Sequence, residues 1–381
     1  MYFISEQDPN YTVKGSRDPL GFQVIWQEAG KRLIPYLSTV SGTLKDFQVI
    51  CIAYALKKEL QITDADFESY FIRLEQLMAY TRFQLNQNDG FNGIDKVRKI
   101  MTEGSMTVKI SNATSDQILS NQRAYGIWGK YIRPFTDIGF VKTPEFEDIF
   151  CKKINANGAF LKQAILLKKK TTTDVAYINT DKLNSFYSLL DKPSTEEKQL
   201  FTVKLLQDNC NNELLRLCYA DQSITKLPFY ELLDKLCASS ANTNFIATLQ
   251  YIKNTEKIIS PLNHIFRYLQ TRSYWKIEEI ANDEYISNWR NEPDTTGFGE
   301  VSKSLAALLK LSNVELVKGL VIRNEEVSNR RNSAAWLRLT ASGIEVNHFE
   351  GGFLWEDYNP EINNDNNYFI STFISLLHQL N

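Results

Sequence analysis

Apolar residues recur at three- and four-residue spacing in segment after segment of this chain, and that period rather than strand-like alternation constrains the fold. Leu44, Phe47, Cys51, Tyr54 and Ala55 keep helical spacing, as do Phe67, Phe71, Leu74, Leu77 and Met78, and later Leu305, Leu308, Leu309, Leu316, Val317, Leu320 and Val321. Start signals accompany them. Thr63-Asp64 offers a cap, Ser194 followed three residues later by Glu197 is a capping box for a helix of about twenty residues, and Pro228 and Pro261 each suit a first helical turn, with Ser260 as the second cap. The stretch 305–321 is expected to break at Ser312, and the chain closes on a helix carrying Tyr368, Phe373, Leu377 and Leu380. Alternation is confined to 106–110, to 175–178 and to two runs flanking Ala341-Ser342-Gly343. The pattern predicts a mainly α, multi-helix fold with a small β-hairpin at about 334–349.

A length of 381 residues suits two helical domains, since domains usually span roughly 100 to 200 residues. They are expected at 1–145 and 146–381, the first opening with a three-helix bundle whose first helix covers 22–37. With 43% apolar residues each has enough to bury. The formal net charge of -2 gives no global attraction to nucleic acid or an anionic membrane, so any such contact is a local patch. Five cysteines without a Cys-x-x-Cys pair argue against a disulfide framework and a zinc knuckle, and suit a cytoplasmic location. No apolar run reaches the roughly 18 residues of a membrane span. His264, His348 and His378 lie too far apart for a two-histidine metal motif, and neither a metal nor a cofactor is expected.

Unusual side chains are densest at 121–141. Tyr125, Trp128, Tyr131 and Phe135 fall along one helical stripe, flanked by Arg123, Lys130 and Arg133. Gly126 and Gly129 each cost roughly 1 kcal/mol within a helix, which implies a close neighbour at the backbone. The helix is expected to open after Thr114-Ser115-Asp116 and to end by Arg133, ahead of Pro134. Two readings compete: a helix buried in a core, or a partner or nucleic-acid groove built on Arg123, Trp128, Lys130 and Arg133.

Two further basic spots stand out: Lys168-Lys169-Lys170 and Arg330-Arg331, the second followed by Arg338 in the hairpin. Helix, basic turn and hairpin is an arrangement by which winged-helix modules touch a phosphate backbone. The same arginines have Glu325, Glu326 and Glu345 as ion-pair partners to hand. Phosphate-cradling glycine loops and serine elbows are missing, and the nuclease-like Glu196-Glu197-Lys198 falls within a helix cap. The expectation is a non-enzymatic helical interaction or adaptor subunit of a bacterial multi-protein system, antiphage defence being one context where such chains serve. It would hold a protein partner, and nucleic acid through a local basic patch. A metal-dependent nuclease and a winged-hairpin DNA-binding regulator are the alternatives.

Overall fold

A computed structural model of the chain describes residues 18–103, 106–168, 175–208, 212–349 and 353–381. Helix accounts for 63% and strand for 5%, the mainly α class that the apolar period requires. The strands are β1 (Thr107–Ile110), β2 (Ala176–Asn179), β3 (Tyr274–Lys276), β4 (Leu337–Leu339) and β5 (Gly343–Val346). The chain divides into two compact units, each discontinuous in sequence. One comprises the described part of Met1–Leu33 with Glu213–Tyr368; the other comprises Ile34–Asn212 with Phe369–Asn381.

The first unit is built around the 27-residue helix Thr243–Leu269, against which Gln23–Lys31 packs. Pro261 lies inside that helix and does not start a new one, contrary to the expectation of Ser260-Pro261 as a cap and first turn. Proline there removes the donor for the Lys257 carbonyl four residues back. The buried Asn291 side chain supplies a replacement, donating Nδ2 to that carbonyl at 3.4 Å and to the Pro360 carbonyl at 3.2 Å. β3 follows the long helix; short helices, then Glu300–Leu308 and Asn313–Arg330, lead to the hairpin of β4 and β5. Ser312 caps the second of these helices through the Glu315 amide (3.3 Å), the break expected from sequence. The hairpin is joined by β3 into an antiparallel sheet of order β3-β5-β4. Gly343 makes this approach possible: a Cβ there would stand 2.1 Å from the Trp275 carbonyl oxygen. Trp275 is fully buried beneath the sheet and donates Nε1 to the Leu269 carbonyl at 2.7 Å.

The second unit centres on Leu44–Glu59 and Asp64–Leu85, which are buried on nearly all sides and so lack the apolar-polar asymmetry of surface helices. Gln23–Lys31, expected as the first helix of an opening bundle, belongs to the first unit, while these two helices belong to the second. That first helix also ends at Lys31, short of position 37. β1 and β2 pair antiparallel, with Val108 opposite Ile178. The last helix, Ile370–Leu380, returns to this unit, and Gln379 Oε1 accepts from the Leu44 amide at the start of Leu44–Glu59 (2.8 Å). The Ser194–Glu197 capping box is present with both bonds, 3.1 and 3.2 Å, but its α-helix spans only Thr195–Phe201 before a π-helical turn, Thr202–Gln207.

Residues 121–141 depart from one continuous helix. Gln122–Tyr125 is a single turn, the chain extends at Gly126, and a second helix runs from Ile127 to Ile138 straight through Pro134. Gly139, in the left-handed region, ends it. The two glycines permit the break: a Cβ on Gly126 would lie 2.5 Å from the Gln122 carbonyl oxygen and 2.6 Å from Glu75 Oε1, and one on Gly129 would lie 2.2 Å from the Ala124 carbonyl oxygen.

Candidate functional site: an arginine-lined groove

Two arginines seven residues apart on Asn313–Arg330 share one face, since seven residues make nearly two turns. They are Arg323 and Arg330, and Arg331 follows at the helix end. Together with Arg32 of Gln23–Lys31's C-terminal cap they line an open groove of about 670 Å³ in the first unit. The other walls are Val24, Ile25, Tyr251, Val327 and the start of Glu300–Leu308. Two glutamates, Glu28 and Glu300, also line it.

Each arginine is held differently. Arg331 is fixed to Asp18 by an ion pair of 2.9 Å and a bond to the Asp18 carbonyl. Asp18 in turn caps Gln23–Lys31, accepting from the Phe22 amide at 2.7 Å. Arg323 donates Nε to the Leu20 carbonyl (3.0 Å) and stands 3.9 Å from Glu326. Burial first, and then the charge of Arg330, lower the proton affinity of its guanidinium. Arg330 donates Nε to the Glu326 carbonyl of its own helix at 3.4 Å. Arg32 lies over the Tyr251 ring, 3.8 Å from its centroid, and 3.8 Å from Glu28. Several cations thus crowd one recess, and the carboxylates near it are mostly exposed partners one helical turn away, a geometry worth only a few tenths of a kcal/mol each.

Arg338, grouped with Arg330 and Arg331 in the sequence, sits on β4 opposite Glu345 of β5 and is exposed outside the groove. Lys168 donates to the Leu60 carbonyl at the end of Leu44–Glu59, a cation on a helix C-terminus; Lys169 and Lys170 lie outside the described residues. Arg123, Trp128, Lys130 and Arg133 belong to the second unit. Arg123 pairs with Glu68 at 2.9 Å, Arg133 stands 3.7 Å from Asp137, and Lys130 is half-buried. The aromatic stripe points inward. Trp128 sets its edge against Phe67 and Phe71 with centroids 5.7 and 5.3 Å away; Tyr131 meets Phe47 at 5.1 Å; Phe135 stacks on Phe140 at 4.9 Å. Tyr125, on the separate turn, is 48% exposed and leaves the stripe.

Two buried carboxylates are invisible to sequence reasoning because their burial and their hydrogen-bond partners come from residues distant in the chain. Glu75 accepts from the Ile127 amide (2.7 Å) and Gln122 Nε2 (3.0 Å), and burial pushes its carboxyl up to about 7. It caps the start of Ile127–Ile138, the helix that had no side-chain cap of its own. Glu256 accepts from the Asn366 amide (3.0 Å) and the Tyr368 hydroxyl (2.6 Å), and burial raises it likewise to about 7. It anchors the polar stretch before the final helix to Thr243–Leu269. The aromatic part of that stretch packs there too, Tyr358 stacking on His264 at 3.7 Å.

A second groove, of about 850 Å³, runs between Pro144–Ala156 and Thr195–Phe201 in the second unit. Its floor holds Glu197, 1% exposed, with Lys153 at 2.5 Å. The nuclease-like Glu196-Glu197-Lys198 is therefore part of a cap and a buried ion pair. Among the described residues no three His, Cys, Asp or Glu side chains are grouped to hold a metal ion, and no helix is long and apolar enough to cross a membrane. No protein-family model, curated protein or solved structure matches this chain.

Proposed function

We propose that the protein works by binding, as an adaptor subunit that holds a partner in a multi-protein assembly through the arginine-lined groove of its first unit. The observation that carries this is the convergence of Arg32, Arg323, Arg330 and Arg331 from two helices on one open recess. Desolvating Arg323 beside a like charge works against stability, and such local conflicts concentrate where a chain has a task to perform. Antiphage defence is one setting for an adaptor of this kind. Capture from the native host, with wild type and the Arg323→Gln/Arg330→Gln variant side by side, is the test. A subunit acting through this groove loses a stoichiometric partner in the variant; capture profiles that are identical for both would overturn the proposal.

A second reading has its own support. The order β3-β5-β4, with one strand ahead of the helices and a hairpin after the last, matches the layout of winged-helix modules, which suits contact with a nucleic-acid backbone near Arg330, Arg331 and Arg338. Each neutralised phosphate would release counterions, so the triple alanine variant would bind duplex DNA with a salt slope shallower by up to about three units. Mobility shifts across a salt series decide it: failure of the wild type to bind duplex at low salt ends this reading.

A further inference from the structure

The walls of the arginine-lined groove are not uniformly charged. Val24 is 69% exposed and Val301 is 53% exposed, and both line the recess beside the guanidiniums. Bare valines add nothing to the recognition of phosphate or sugar, which is met by polar and cationic groups. They favour an occupant with an apolar side chain of its own. The shape points the same way. A duplex is read by elements that project into its grooves, whereas these arginines line a recess of about 670 Å³, within the roughly 300–1,000 Å³ of sites that enclose a small ligand or a few residues of peptide.

Charge supplies the rest of the specification. A guanidinium matches a carboxylate with two parallel N–H donors, and Arg330 uses only its Nε on the protein, leaving its terminal nitrogens without a hydrogen-bond partner among the described residues. Arg32 offers a face already stacked on Tyr251, a geometry that fixes the guanidinium while its outer edge stays open. The helix Glu300–Leu308 starts at the same recess, and its N-cap, Gly299, provides no side-chain bond to the first amides. These donors add to a site that the arginines define. Glu28 and Glu300 are the rivals within the groove, but they are 70% and 94% exposed and reach their own arginine or lysine only at 3.8 and 3.7 Å.

We propose that the groove takes an acidic segment of a partner protein, its carboxylates held by Arg32, Arg323 and Arg330 and an apolar side chain laid against Val24 and Val301. This rests on the reading of the first unit as the partner-binding part of an adaptor, and it names the chemistry of what is bound. Arg331 takes a smaller share because it holds Asp18 in place.

Fluorescence polarisation with the full chain tests it, using three labelled pentapeptides, Glu-Glu-Leu-Glu-Glu, five glutamates, and Ser-Ser-Leu-Ser-Ser, together with a labelled 20-base-pair duplex. The acidic peptide with the central leucine binds tightest and loses affinity on addition of salt. Arg330→Gln and Arg32→Gln, both at exposed positions, each weaken it about tenfold, the order expected for a lost charge-assisted contact. Val301→Ser, which removes the apolar surface without adding a charge, weakens the leucine peptide but barely alters the all-glutamate one, and unchanged melting temperatures show that the variants are folded. The proposal is overturned if the acidic peptides do not bind, if Arg330→Gln leaves their affinity unchanged, or if the duplex binds instead with the same dependence on Arg330. A host partner that still depends on Arg323 and Arg330 while no acidic peptide competes for it would refute this inference and leave the adaptor reading standing.

Discussion

Replacing Gly126 by alanine puts one methyl group into a tight junction of the second unit. The backbone there, φ -79° and ψ -171°, is ordinary extended geometry, so the cost is one of space and not of backbone strain. The new Cβ would stand 2.5 Å from the Gln122 carbonyl oxygen and 2.6 and 2.7 Å from the two Glu75 carboxyl oxygens. Glu75 must then retreat, breaking its 2.7 Å bond from the Ile127 amide. Leaving a buried donor or acceptor unsatisfied costs about 1–3 kcal/mol, and forcing a methyl into a packed interior about 1–3 kcal/mol. Gly126→Ala is expected to destabilise by about 3–5 kcal/mol, a large part of the 5–15 kcal/mol that holds a typical domain. Urea unfolding of the variant beside wild type and Gly158→Ala measures it. Gly158, at a helix start where an added methyl group would meet nothing within 4 Å, is the control, and alanine there should be neutral or stabilise by less than about 1 kcal/mol. A loss below about 1 kcal/mol at Gly126 would refute the argument that the break between Tyr125 and Ile127 is held by Glu75.

Trp128→Ala is expected to lower stability by about 3 kcal/mol, the low end for tryptophan in a core, because the ring is only half-buried against Phe67 and Phe71; an unchanged melting temperature with a lost partner would return the stripe to a binding role. The contribution of Glu75 and Glu256 to stability should fall as pH rises from about 4.5 to 7. Both have folded values near 7, above the ordinary value of 4.5, so in that window each binds more protons in the folded chain than in the unfolded one. Below pH 4.5 both states are protonated and the difference vanishes. Glu256→Gln should remove up to about 3 kcal/mol of this slope, read as the change in urea midpoint between pH 5 and pH 8; a slope equal to that of wild type would contradict it. Asn291→Ala should cost about 1–3 kcal/mol by stranding the Lys257 carbonyl opposite Pro261, and an exchange rate for the neighbouring amides like that of wild type would count against that role.

Local chemistry was the legible part of the fold. Ser194 with Glu197, Thr63 and Ser312 cap where their side chains can reach the exposed amides, an effect that acts within three residues. Pro261 and Pro134 misled because whether a proline ends a helix depends on what satisfies the stranded carbonyl, and Asn291 is 34 residues away from the bond it repairs. Unit membership was not legible in composition, since a helix such as Gln23–Lys31 carries no mark of the distant Thr243–Leu269 it packs on. β3 escaped notice because three residues, Tyr274–Lys276, are too few to show alternation. Arg330 and Arg331 were visible as a doublet. Arg323 was recoverable from its seven-residue spacing to Arg330, whereas Arg32 joins them only through the tertiary fold.

The central claim, that the first unit holds its partner in the arginine-lined groove, is tested most directly by photo-crosslinking in the native host. A photoreactive amino acid is placed at Val301 inside the groove or at Ile165, 50% exposed in the second unit, as control. The account predicts one dominant protein adduct from position 301 that disappears in the Arg323→Gln/Arg330→Gln background. No adduct from 301, or one that persists at full yield without those two arginines, would contradict it.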